Sequence, residues 1–223
     1  ARDRLAPGGV LAQWMGLQLV DEGLFRSLLA TLTGVFPYVE VYRPDSGPSI
    51  LFVASDVPLA VEEGAARALL SAREAWAAVG VLTPLDLAVA RVLDTEGARR
   101  LGEGWPEVTD DRNLLQTRSP RALAHPLEGA ALVSLLAPLD PLARGASDST
   151  LLYAVRRLLE QGAGERALRL ATAIRGEGAR KTAFALHDLA LGRTTAAREA
   201  LEAAVARSPG EVETLAALLR TQA

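Results

Sequence analysis

The sequence predicts an α/β portion followed by an all-helical portion. Two observations carry this expectation. The first 55 residues alternate short apolar runs with a single helical repeat, whereas the remainder repeats Ala, Leu and Val mainly at helical spacing. Ala, Leu and Arg, which lose little on entering a helix, are abundant, while aromatic residues make up only 4%.

Residues 8–14 follow Pro7 as a turn and a short apolar run, expected to form a buried strand. Asp21 can cap a helix starting at Glu22, in which Leu24, Phe25, Leu28, Leu29 and Leu32 recur at helical spacing. Gly34 is placed to end it as a left-handed cap. Tyr38–Tyr42 and Ile50–Ala54 read as strands joined by the turn signal Pro44-Asp-Ser-Gly-Pro48. So short a link makes them an antiparallel hairpin. Three strands and one helix cannot cover both faces of a sheet, so this piece is expected to need partners, either missing sequence or another chain. Residues 62–79 and 85–101 follow as helices, with Pro84 in a first turn behind Thr83 as cap. Residues 105–121 are polar and aperiodic, as functional loops often are.

From Ser147 onward the pattern becomes helical hairpins. Gly162, Ala167, Ala171 and Ile174 align with Gly192, Ala197, Leu201 and Ala204 at an offset of 30, and Pro209 closes the second copy. This spacing resembles a tetratricopeptide repeat, whose usual period is ~34. The first copy is degenerate: it is four residues short, lacks the Pro, and has Lys181 where the motif carries a large aromatic. The expected domains are 1–121, a connector at 122–147, and helical hairpins at 148–223.

The net charge of −3 gives no basic footprint for nucleic acid. The absence of cysteine excludes disulfides and thiolate chemistry. His125 and His187 are far apart, without ligand spacing, so no metal site is expected. The run Ala130–Leu139 falls short of the ~20 residues of a membrane span, and no signal peptide is visible. The opening Ala1-Arg-Asp-Arg-Leu5 has no Met and runs straight into the first strand, as expected of a truncated chain. A cytoplasmic location fits these features.

Phosphate-cradling loops, the Gly-x-Gly-x-x-Gly turn after a strand, and the Gly-x-Ser-x-Gly elbow do not occur. What does occur is Leu5-Ala-Pro-Gly-Gly-Val-Leu-Ala-Gln-Trp14, then Leu24-Phe-Arg26, Val35-Phe-Pro37 and Leu51-Phe-Val-Ala-Ser55. Thr109-Asp-Asp-Arg-Asn113 and Ser119-Pro-Arg121 follow. In order and spacing these resemble the rear part of a spermidine synthase-like domain: the fifth strand, a helix, the final antiparallel hairpin and the closing motif. The resemblance implies a methyltransferase-like (Rossmann-type) sheet. It also implies transfer of an aminopropyl group from decarboxylated S-adenosylmethionine, or related use of S-adenosylmethionine, to an amine. The family's cofactor loop, ribose-holding acid and catalytic Asp all precede its fifth strand. No cofactor-binding or catalytic residue is therefore assigned here, and this chain alone is expected to be inactive. Thr-Asp-Asp stands where aminopropyltransferases typically place a Tyr-Tyr pair, which leaves the acceptor open. Some relatives carry N-terminal membrane helices, so the parent protein can be membrane-attached.

The candidate substrate-side residues are Gln13, Trp14, Asp110 and Asp111. Gln13 ends the first strand at the edge where open α/β sheets bind ligands; the alternative is a polar side chain satisfied by backbone. Trp14 walls that pocket or simply packs. Asp110 and Asp111 either attract a cationic amine or serve as cap and turn residues. Arg112 is placed to pair with one of them. Arg156 and Arg157 lie near Glu160, as on a solvated face. The competing functional class is a non-catalytic scaffold that binds a protein partner through its helical tail.

Overall fold

The computed structural model describes residues 2–44, 49–60, 71–122, 124, 126–127 and 129–207. The expected turn at 45–48, the first part of the 62–79 helix, His125 and Pro209 lie outside the described residues. Two compact units are present, Ala1–Pro141 and Leu142–Ala223, and the division falls within the stretch 122–147.

The first unit is built on strands β1 (Val10–Gly16), β2 (Tyr38–Tyr42), β3 (Ser49–Ser55) and β4 (Arg91–Leu93), in the order β1-β3-β2-β4. Every pairing is antiparallel. Since β3 lies between β1 and β2 and opposes both, those two strands run in the same direction. Helix α1 (Glu22–Val35) connects them, supplying the long crossover that such strands require. The expected β2–β3 pair is present, with Val41 opposite Phe52 and Val39 opposite Ala54.

Helix α1 starts where Asp21 accepts a hydrogen bond from the Leu24 amide at 2.7 Å. Its apolar positions Leu24, Phe25 and Leu29 are buried against the sheet's inner face, which presents Val39, Val41, Ile50, Phe52 and Ala54. Phe25 and Phe52 meet at 5.7 Å between ring centroids. Burying one such side chain contributes about 1.5–3 kcal/mol, so this face dominates the unit's stability. Gly34 is not the left-handed cap expected; the helix runs on through Val35, and Gly34 does not have positive φ. A Cβ at Gly34 would stand 2.7 Å from the Glu107 carboxylate, so its small size serves packing.

Three further expectations are corrected. β1 is not buried: it is an edge strand with Val10 51% and Trp14 62% exposed, and no described strand pairs with its outer side. Residues 85–101 are not one helix. α2 (Arg73–Ala78) and α3 (Pro84–Ala90) are followed by β4, and α4 (Thr95–Gly102) begins only after Asp94 caps it through the Gly97 amide at 2.8 Å. Tertiary pairing with β2 overrode the helical periodicity there. Lastly, the 105–121 stretch is irregular only to Asn113, because α5 (Leu114–Ala122) follows despite Pro120 within it. Asn113 caps it, accepting from the Gln116 amide at 3.1 Å.

Thr83 and Asp86 form the N-terminal box of α3, the Asp86 carboxylate accepting from the Thr83 amide at 2.8 Å. After α4, Gly102 lets two helices touch, since a Cβ there would lie 2.6 Å from the Ala30 nitrogen. The apolar run at 130–139 is α6 (Gly129–Leu136) and a short 3-10 turn, not a span. Among the described residues no helix is long and apolar enough to cross a membrane.

Helix α7 (Pro141–Gly145) leads from the first unit into the second. There α8 (Asp148–Glu160), α9 (Gly164–Ala173), α10 (Glu177–Ala190) and α11 (Thr194–Arg207) form successive hairpins. Gly162 and Gly192 both have φ near +77°, at 76° and 77°, ending α8 and α10 in the left-handed conformation that glycine adopts without cost. The six aligned positions Ala167, Ala171, Ile174, Ala197, Leu201 and Ala204 are all buried. Small side chains at four of them bring the paired helices close.

Candidate functional site

Gln13 and Trp14 are neighbours on β1, exposed and facing opposite sides of the strand. Gln13 donates from Nε2 to the Trp14 carbonyl at 2.8 Å, so its amide is spent on local backbone. The loop holding Asp110 and Asp111 is tied elsewhere: the Val108 amide donates to Thr31 Oγ1 of α1 at 2.8 Å. Thr31 in turn donates to the Ser27 carbonyl at 2.7 Å, fixing its hydroxyl for that contact. Among the described residues no hydrogen bond or ion pair joins the β1 pair to the aspartates.

The loop tip is a tight turn in which the Thr109 and Arg112 backbones bond reciprocally at 3.2 and 3.1 Å. Thr109 Oγ1 also accepts from the Arg112 amide at 3.1 Å. Thr109 thus performs the capping work that the aspartates were candidates for, and both carboxylates are exposed at the turn's centre. The expected pairing of Arg112 with an aspartate does not form among the described residues. Glu107, Thr109, Asp111 and Arg112 border an open cavity of about 540 Å³. Two carboxylates, Glu107 and Asp111, against the one guanidinium of Arg112 give this cavity a negative lining suited to a cation.

A second cluster lies on the sheet's outer face, away from α1. Glu40 is buried at 6% exposure, although its sequence neighbours Val39 and Val41 point to the opposite, inner face. Arg91 of β4 donates from Nη1 to Glu40 Oε1 at 2.7 Å, and the Tyr42 hydroxyl donates to Glu40 Oε2 at 2.5 Å. Burial first, and then the hydrogen bond to the Glu40 carboxylate and its charge, push the Tyr42 hydroxyl well above its ordinary range, so it stays protonated. Tyr42 and Arg91 border a cavity of about 420 Å³ whose other described lining residues are Val, Leu, Ala and Pro. Sequence reasoning missed this cluster. A lone Glu within Tyr-Val-Glu-Val-Tyr was a signal, but its partner lies on a strand that periodicity read as helix.

In the second unit Arg156 and Arg157 both reach Glu160, at 3.4 and 2.6 Å. The solvated-face expectation fails for Arg157, which is only 7% exposed. His187 is half-buried on α10. Asp148 accepts from the amides of Arg175 and Gly176 at 3.0 and 2.7 Å, which fastens the start of α8 to the α9–α10 turn. These two backbone hydrogen bonds hold the Asp148 carboxyl below its ordinary range. Among the described residues no group of three or more His, Cys, Asp or Glu is placed to hold a metal. No protein-family model, curated protein or solved structure matches the chain.

Proposed function

We propose that residues 1–121 are the rear part of a spermidine synthase-like transferase domain, followed by a tetratricopeptide-like tail. The observation that most supports this is the strand arrangement. The β1–α1–β2 crossover with β3 inserted antiparallel between the two strands is the ending expected of a methyltransferase-like sheet. The character of β1 agrees. From Leu5 to Val20 the sequence contains no charged residue, although exposed edge strands are usually protected by charge, Pro or a bulge. An uncharged strand with Val10 and Trp14 exposed fits the interior of a larger sheet.

On this reading the nucleoside, decarboxylated S-adenosylmethionine or S-adenosylmethionine, is held by strands that precede β1. The Glu107–Asp111 corner then contributes the acceptor side, its carboxylates drawing in a cationic amine by long-range attraction. Calorimetry on this chain at low salt tests both parts. Spermidine should bind weakly, lose affinity as salt rises, and lose it again in the Asp110→Asn/Asp111→Asn double variant. Decarboxylated S-adenosylmethionine should not bind tightly; tight binding would mean the cofactor half has been misplaced. Absence of spermidine binding would remove the acceptor role.

A second reading is a scaffold that binds a protein partner. Phe184 of α10 and Leu191 at its C-terminal cap favour it by exposing apolar surface at 37% and 54%. The upstream gene sequence separates the two readings. A Gly-rich strand-turn-helix, an acidic strand end and a catalytic Asp support the enzyme, and their erosion supports the scaffold.

A further inference from the structure

The acidic corner stands at the end of a strap that runs back along α1. After α4 the chain turns at Gly104, whose φ of +75° suits glycine, and residues 105–108 then lie against the helix. The helix is shaped to receive them. Leu24, Phe25 and Leu29 bury one face of α1, while Gly23, Ser27, Ala30 and Gly34 recur at steps of four, three and four on the opposite face. A Cβ at Gly23 would stand 3.1 Å from Trp105 Cζ3, and one at Gly34 would stand 2.7 Å from Glu107 Oε1. Bare backbone at both places lets the strap lie close, and Ser27 between them is fully buried.

The strap is tied as well as fitted. The Arg26 guanidinium stands over the Trp105 ring, 5.7 Å from its centroid. Arg26 is itself held by Glu22 at 2.8 Å and by the Leu101 carbonyl at 3.1 Å, so the ring meets a cation already in place. The Val108 amide then donates to Thr31, and the next residue opens the turn that carries Asp110 and Asp111. The turn's bonds between Thr109 and Arg112 are internal to it, so its place on the unit is set by what flanks it. On the far side α5 is anchored by Arg118, 3.6 Å from Asp21 and partly exposed, a weaker tie than the packed indole. Carboxylates ordered in advance spare a ligand the cost of ordering them. Releasing the strap would leave every charge in the molecule, so long-range attraction would persist while position is lost.

We propose that Trp105 is a positioning residue: packed on Gly23 and under Arg26, it holds Glu107 and Asp111 in the arrangement that meets a cationic amine. The inference rests on the acceptor-side reading given above. Calorimetry of spermidine binding to the full chain, repeated over a series of salt concentrations, tests it. Trp105→Ala should weaken binding about three- to ten-fold at every salt concentration and keep the parent's salt slope, because no charge is removed. Trp105→Phe keeps a ring beneath Arg26 and should stay within about two-fold of the parent. Thr31→Val deletes the acceptor of the Val108 amide and should weaken binding about two- to five-fold. If the parent binds spermidine and Trp105→Ala binds equally well, flattens the salt slope or is not rescued by Phe, the positioning role falls and the acceptor reading stands. If the parent does not bind spermidine, both fall. Should Trp105→Ala lose its fold, seen as lost hydrogen-exchange protection in β2 and β3, Thr31→Val decides: an affinity equal to the parent's overturns the proposal.

Discussion

Different kinds of contact recur inside each of the two units. In the sheet unit, beside turn-length pairs such as Glu22–Arg26, several polar ties join distant residues. Arg91 reaches Glu40 across 51 positions, the Val39 amide reaches Thr95 Oγ1 across 56, and the Val108 amide reaches Thr31 across 77. Among the described residues of the helical unit most ion pairs span one turn, as in Glu165–Arg169, Glu177–Lys181 and Arg198–Glu202. A turn-length pair forms whenever its helix forms and adds little. A cross-strand pair forms only when the whole topology is in place, so it also enforces that topology. Loop-closure entropy must be paid before the sheet unit gains such contacts, which makes its assembly the slower of the two.

The sharpest way to break this contrast is to empty the sheet unit's core. Phe52→Ala removes a β3 side chain buried against α1 and should cost about 3–5 kcal/mol. Hydrogen exchange at the β2 and β3 amides should register the loss. A loss below 1 kcal/mol would mean that this face is not the unit's core. Next in size is Glu40→Ala, which removes the carboxylate that both Arg91 and Tyr42 bond. Because Arg91 is a third exposed, solvent offsets part of the loss, and the expected cost is about 1–3 kcal/mol. The damage should centre on β4, whose short pairing with β2 passes through this contact. If β4 amides keep their protection, the pair does not hold the strand.

The same contrast explains what could be read from the sequence. The helical unit was legible because its determinants are local. Gly162 and Gly192 announce their turns, and the buried Ala and Leu positions follow at fixed spacing. In the sheet unit the Asp21 cap and the β2–β3 pair were legible for the same reason. β4 was not, because Arg91-Val-Leu93 sits inside a helical pattern and becomes a strand only by pairing with residues some 50 positions earlier. The exposure of β1 also escaped, since an apolar run does not reveal which neighbours it has. Of the candidate site residues, the local roles near Asp110 and Asp111 fell to Thr109 and Asn113. The Glu40–Tyr42–Arg91 cluster needs two elements at once, and no single-segment pattern contains it.

Asp148 is where the helical unit departs from its own rule, and it carries the smallest effect expected here. Its carboxylate accepts two backbone hydrogen bonds from residues 27 and 28 positions away. The folded-state pKa lies below the ordinary value, so the folded form favours the ionised carboxylate. The resulting stabilisation is fully present above the unfolded pKa of about 4, and is lost as pH falls through the lower folded value. Protonation removes the charge that makes these bonds strong. In an acid titration the Arg175 and Gly176 amides should therefore lose protection below about pH 4. Asp148→Asn should lack that step, and Glu177→Gln, which weakens an exposed turn-length pair, should retain it with a cost under about 0.5 kcal/mol. If Asp148→Asn titrates as the parent does, the acid response belongs to another group. The α9–α10 turn would then be held by local contacts, like the rest of the unit.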